Sequence, residues 1–290
     1  MLLVTGATGH LGSKVVEAVL AKEKPRRVAV SVRNATKADH LRARGVDVRQ
    51  GDFENAESLP MAFSGVERLL IISTDGDNET RIRQHRNAVA AAIAAGVRFV
   101  AYTSIAKADR TALGLGVVHR TTEAAIRESG IPYCFLRNNW YVENEIPFIR
   151  AALGGAPILT SAGAGRVGWA ARDDYAEAAA AVLTGNGHEQ AIYELSGAPI
   201  SYDEFGKQLS AATGKEIIIE HLDDAEYERR LLGAGLPKHL AEFLTGLQCA
   251  IRRGALEVES DDLSNLLGRP ATQLRDVLAH IALSVAAQSA

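Results

Sequence analysis

Apolar and amphipathic segments alternate along the first half of the chain. Short apolar runs stand at 2–4, 28–32, 46–49, 69–72, 99–103 and 133–136, with helical patterns at 10–20, 81–95 and 118–129 among the segments between them. A strand that must return parallel to its predecessor needs a crossover helix, so this rhythm specifies a doubly wound parallel sheet covered by helices on both faces. Gly96 and Gly130 stand where two of the helices should stop. After Asn138 the rhythm is interrupted by Pro147, Gly154, Gly155 and Pro157. A helix over 175–183 follows, with Asp173 or Asp174 placed to cap it, and beyond Gly197 the pattern is mostly helical with one strand-like run at 217–219. The division expected is a larger α/β domain over 1–185, in which 138–160 contributes to a cleft, and a smaller, mostly helical domain over 186–290. No fixed-period repeat or linker separates them, which implies a close interface.

The first strand-to-helix turn reads TGATGHLG, from Thr5 to Gly12. Here Gly6 permits a tight turn, Gly9 lets a pyrophosphate approach the main chain, and Gly12 lets helix pack on strand. The helix N-terminus, through the backbone of Ala7, Thr8, Gly9, His10, Leu11 and Gly12, supplies free N–H groups and a positive dipole. In this context the motif indicates a Rossmann-type dinucleotide site. The second strand ends in Val32 and Arg33, 21 residues after Gly12, where an NAD site usually carries a carboxylate. Arg33 can hold a 2′-phosphate in two hydrogen bonds, so the cofactor expected is NADPH; Lys37 reads as a solvated lysine. Ligands lie beyond the carboxyl ends of parallel strands, which adds Asp52, Phe53, Ser73, Thr74, Thr103 and Ser104 to the candidate cofactor residues. Asp52 either accepts from the adenine amino group or caps a helix, and Phe53 either flanks the base or belongs to the core.

Composition narrows the function classes. The chain has 290 residues, 47% hydrophobic and 23% charged, and a net charge of −3. That balance gives no general electrostatic reason to bind nucleic acid or an anionic membrane. Cys134 and Cys249 are too few for a disulfide framework and lack metal-ligand spacing, and no stretch reaches the ~18 apolar residues of a membrane span. A cytoplasmic protein with no metal is expected; its oligomeric state is not set by the sequence.

The stretches VTGATGHLG, VRNATKA, RQGDFENAESL, FVAYTSIAKADRTALGL, HRTTEAAIRESGIPYCFLRNNWYVEN and ARDDYAEAAAAVL, with GLP at 235–237 and LLGRPATQL near the end, follow one another in an order that resembles the NmrA-like branch of the atypical short-chain dehydrogenases. The resemblance covers nearly the whole chain. It implies a Rossmann domain with a smaller C-terminal domain, NADPH as hydride donor, and a pocket in the cleft between them. It also carries cofactor contacts onto Leu136, Arg137, Asn138, Asn139, Trp140, Tyr141 and Arg172.

Ordinary short-chain dehydrogenases use a Tyr-x-x-x-Lys pair to protonate a carbonyl, but here the corresponding helix carries His119 and Glu123. The two lie on one helix face and are expected to bond to each other as an orienting pair rather than to donate a proton. Their presence argues against alcohol and ketone chemistry and for flat, electron-poor acceptors such as quinones, which need little acid assistance. In LRNNWYVEN, Asn139 is expected to hold the nicotinamide carboxamide and Tyr141 to cover a planar acceptor, with Asn144 lining the cleft, Phe148 closing it, and Trp140 joining the two domains. His119, Asn139 and Tyr141 are thus the candidates nearest the chemistry. The function expected is direct hydride transfer from NADPH to a quinone-like small molecule, without flavin. Reduction of triarylmethane or azo dyes is the alternative enzyme reading, and a non-catalytic NADP(H)-sensing regulator the alternative from another class.

Overall fold

In the computed structural model, which describes residues 1–289, the opening apolar run becomes a strand buried at all four positions. The large sheet comprises β1 (Leu2–Thr5), β2 (Val28–Val32), β3 (Asp47–Gln50), β4 (Arg68–Ile71), β5 (Phe99–Ile105), β6 (Tyr133–Asn138) and β9 (Ala191–Leu195). Two short pairs lie outside it, β7 (Ile158–Thr160) with β11 (Ile219–His221) and β8 (Arg166–Val167) with β10 (Ile200–Ser201). The large sheet is parallel throughout in the order β3-β2-β1-β4-β5-β6-β9. The chain turns outward in both directions from β1, so the gap between the carboxyl ends of β1 and β4 is a topological switch point, where such sheets bind ligands.

The helices are α1 (His10–Leu20), α2 (Asp39–Ala43), α3 (Leu59–Phe63), α4 (Asn78–Ala94), α5 (Gly116–Glu128), α6 (Ile146–Leu153), α7 (Arg172–Thr184), α8 (Tyr202–Thr213), α9 (Asp224–Gly233), α10 (Lys238–Arg252), α11 (Asp262–Leu267) and α12 (Leu274–Ser289). One face of the sheet is covered by α1 and α7, whose Val15, Val16, Val19, Ala176, Ala179 and Ala180 are buried together. Alanine on α7 keeps its backbone close to α1, so small methyl groups fill this part of the core. The opposite face is covered by α3, α4 and α5 around Phe63, Val89, Ala92, Ile126 and Phe135. A separate core, with Trp169, Phe205, Ile251, Leu256 and Leu278, holds the smaller lobe over the carboxyl edge of the sheet. Among the described residues no helix is long and apolar enough to cross a membrane.

The observed elements depart from the sequence reading in three places. The sheet's last strand, β9, comes from residues 191–195, beyond the expected limit of the larger domain at 185, because its burial is only partial and its alternation weak. The run expected at 217–219 forms strand only at Ile219–His221. Neither Asp173 nor Asp174 caps α7, whose N-cap is Ala171. Asp173 instead accepts from Lys14 at 2.7 Å, and the buried Asp174 accepts from Arg269 at 2.9 Å and from the Thr272 N–H at 2.7 Å, which fastens the C-terminal segment onto α7.

Candidate active site

The glycine turn lies at the switch point. Gly6 has φ +62°, a left-handed conformation that glycine adopts without strain. A β-carbon at Gly12 would lie 2.1 Å from the Gly6 carbonyl oxygen, so the close packing of α1 on β1 requires glycine there. Gly9 is the N-cap of α1, and no side chain among the described residues caps that helix. An uncapped first turn leaves N–H groups free for an anion. Thr8, Gly9 and His10 are exposed along the turn, whereas the side chains of Ala7 and Leu11 enter the core, leaving only their backbone toward a ligand. Ala7 and Thr8 border a cavity of about 550 Å³ that also touches Lys14, Lys37 and His40.

Arg33 follows β2 directly, is exposed, and its guanidinium has no partner among the described residues. Lys37 is exposed and likewise unpaired among the described residues, as expected of a solvated lysine, and it lines the cavity beside Thr8. Asp52 accepts from the Glu54 N–H at 3.0 Å in a local turn, and Phe53 is packed in the core with Leu59 and Phe63. For Phe53 the core reading therefore holds. Ser73 and Thr74 are half-buried after β4, with the Ser73 N–H donating to Thr103 Oγ1 at 2.9 Å. Ser104 is turned away from the crevice and donates to Glu123 Oε1 at 2.7 Å.

His119 and Glu123 do not bond to each other. The His119 Nε2 accepts from Arg81 at 3.3 Å, and since a guanidinium only donates, Nδ1 carries the hydrogen shared with Tyr102 Oη at 2.8 Å. His85 is placed in the same way, its Nε2 accepting from the Thr74 N–H at 3.0 Å and its Nδ1 donating to Thr122 Oγ1 at 2.8 Å. Both rings are buried beside the Arg81 charge. Burial first, and that cation second, push His85 down to about 3 and His119 well below the usual imidazole range. Both rings are therefore neutral, with each nitrogen engaged in a hydrogen bond. Sequence reasoning missed Arg81, His85 and Tyr102 because a helix and a strand remote in sequence bring them to α5.

Glu123 meets Arg137 instead. The two form a buried pair at 2.9 Å, and the same guanidinium reaches Asp109 at 2.8 Å and Glu194 at 3.0 Å. The Arg137 guanidinium, expected to contact the cofactor, is thus held in an ionic knot joining α5, β6 and β9. Leu136, fully buried in the core, offers only its backbone.

At the end of β6 the expected roles redistribute. The Asn139 amide donates to Ser196 Oγ at 3.0 Å and to the Leu256 carbonyl at 2.9 Å, and its Oδ1 accepts from the Trp140 N–H at 2.8 Å. With every polar atom engaged it is a strut between the lobes. Asn138, by contrast, keeps a buried Oδ1 with no partner among the described residues while its Nδ2 donates to Tyr141 Oη at 3.0 Å. The Arg172 guanidinium lies 5.1 Å over the Tyr141 ring and reaches Asn144 Oδ1 at 3.5 Å. Trp140, half-buried, packs against the core of the smaller lobe, and Phe148 lines a second cavity there. That cavity also holds Glu145, whose carboxyl the sequence did not distinguish from that of Glu143; the signal was its helical spacing from Val142 and Ile149, which puts Glu145 and not Glu143 on an otherwise apolar face.

A seven-stranded parallel sheet of this order, with an uncapped glycine turn at its switch point and a free arginine after β2, defines a Rossmann-type dinucleotide-binding protein. The model of the NmrA-like family matches residues 1–266, and the chain belongs to that family. Quinone oxidoreductase 2 of Escherichia coli is 39% identical over 97% of this chain and 98% of its own length. An NAD(P)H azoreductase of Xenophilus azovorans is 29% identical over 93% of the chain and 94% of the relative. The solved structure of the Citrobacter sp. triphenylmethane reductase complexed with NADP(H) superposes with a TM-score of 0.93 at 40% identity, over 97% of this chain and all of that one.

Proposed function

We propose that the chain is an NADPH-dependent oxidoreductase that passes a hydride directly to a quinone or a similarly flat, electron-poor acceptor. The observation that carries this reading is the fate of the two positions where ordinary short-chain dehydrogenases keep their proton donor. His119 is neutral and bonded on both nitrogens, and Glu123 is neutralised by Arg137, so neither presents a proton to the crevice. A ketone needs that proton; a quinone gains aromaticity and does not.

The residues present fit the dinucleotide. The first turn of α1 would take the pyrophosphate, Arg33 the 2′-phosphate, and the unpaired Oδ1 of Asn138 an N–H of the carboxamide. Bound NADPH supplies a hydride from its nicotinamide ring. Tyr141, pinned by Asn138 and covered by Arg172, orients a planar acceptor against that ring, and the smaller lobe keeps water from the face where the hydride moves. Triarylmethane and azo dyes are a second acceptor class, favoured by the 40% identity to a triphenylmethane reductase and the 29% identity to an azoreductase. The test is loss of NADPH absorbance with a benzoquinone, a cationic dye and a simple ketone. Consumption with the first two and none with the ketone is expected; turnover of the ketone alone would overturn the reading.

A further inference from the structure

Glu145 has no task in the reading above. It is 4% exposed and its Oε1 accepts from two indoles, Trp140 Nε1 at 3.1 Å and Trp169 Nε1 at 3.2 Å. Its Oε2 has no partner among the described residues. The carboxyl borders a cavity of about 30 Å³ whose floor, with Tyr202 and Tyr227, is buried and whose rim, at Trp140, Asn144 and Phe148, is half-exposed. The titratable groups facing it are the two phenols, held neutral by burial, and no basic residue lines the cavity among those described. Loss of hydration with no cation in return favours the protonated carboxyl. Burial, against the two indole hydrogen bonds, pushes it up to about 7. The cavity admits a single oxygen or water, not a ring. Asn144, on its rim, also accepts from Arg172, the guanidinium that lies over Tyr141.

We propose that Glu145 selects the electron acceptor: its protonated carboxyl donates a hydrogen bond from Oε2 to the oxygen of a neutral quinone whose ring lies against Trp140 and Phe148, and once ionised it favours a cationic dye. This deepens, and rests on, the acceptor-reductase reading.

The chain has two tryptophans, and both bond to Glu145, so all indole emission reports on this cavity. Emission of the NADPH-loaded protein should change with a midpoint near 7, and Glu145→Gln, which keeps an oxygen for the indoles, should abolish that change. Quenching by a benzoquinone should be saturable, with Kd rising about tenfold from about pH 6 to about pH 8.5, the loss of one hydrogen bond, while Kd for a cationic triarylmethane dye falls. In Glu145→Gln both should become flat, with the quinone bound as at low pH. Quinone binding that is unsaturable, or identical in pH dependence in both proteins, overturns the proposal even if NADPH is oxidised. Saturable, Glu145-dependent quinone binding without turnover upholds it and overturns the reductase reading instead.

Discussion

Acidification from pH 7 to pH 5 sets a buried histidine pair against a buried carboxyl. In the folded chain His85 titrates at about 3 because it is buried beside Arg81, against an unfolded value of 6.5. Its folded pKa is depressed, so between those values the unfolded chain binds the extra proton and stability falls as pH falls, by about 1.4 kcal/mol per unit. From pH 7 to pH 5 this removes roughly 2 kcal/mol. His119 is lowered by the same causes and acts in the same direction. Glu145 does the opposite, with a folded value of about 7 and an unfolded value of 4.5. Here the folded chain takes the proton first, and the same acidification returns roughly 2 kcal/mol. The wild type should therefore lose little beyond the His119 contribution. Glu145→Gln, lacking the compensation, should lose about 2 kcal/mol more than wild type over the interval. Urea unfolding followed by far-ultraviolet circular dichroism at the two pH values measures both. Equal losses in the two proteins would mean that Glu145 stays ionised in the folded state, and the reasoning would fail.

Arg33→Ala should weaken NADPH binding by roughly 1.5–3 kcal/mol and spare NADH, as read by calorimetric titration; an equal loss for both cofactors would remove Arg33 from the phosphate. Gly12→Ala should cost about 1–3 kcal/mol of stability, because its β-carbon would fall on the Gly6 carbonyl, and an unchanged thermal midpoint would show that the turn relaxes freely. His119→Ala should lower quinone turnover far less than the ~10²–10⁴-fold expected for a lost general acid, and the pH profile of kcat should lack a limb near the ~6.5 of histidine. A larger loss, with such a limb in wild type, would make His119 the acid.

The fold was legible because burial on both faces turns strands into continuous apolar runs, and β1, β2 and β5 are of that kind. β9, an edge strand with partly exposed residues, carries no such run and was missed. The glycine turn was legible because its chemistry is local: each glycine's reason lies within six residues. Asn139 and Asn138 show the limit. They are adjacent in sequence, and only the positions of Ser196 and Leu256, far along the chain, determine that Asn139 is tied between the lobes while Asn138 keeps an Oδ1 without a partner among the described residues. The pairing of His119 with Glu123 failed for the same reason, since helical spacing makes a contact possible but Arg81 and Arg137 outbid each residue as a partner for the other.

The knot around Arg137 also limits how this scaffold can be redesigned. Installing tyrosine at 119 and lysine at 123, to regain alcohol chemistry, would set an ammonium where a carboxylate now stands 2.9 Å from the guanidinium. Two like charges would then share a site closed to water, and Ser104 would lose its acceptor. Position 137 on β6 would have to change in the same step, with Asp109 and Glu194 left to find a new cation. Placing a proton donor on α5 is thus conditional on β6, a strand that carries neither position 119 nor position 123.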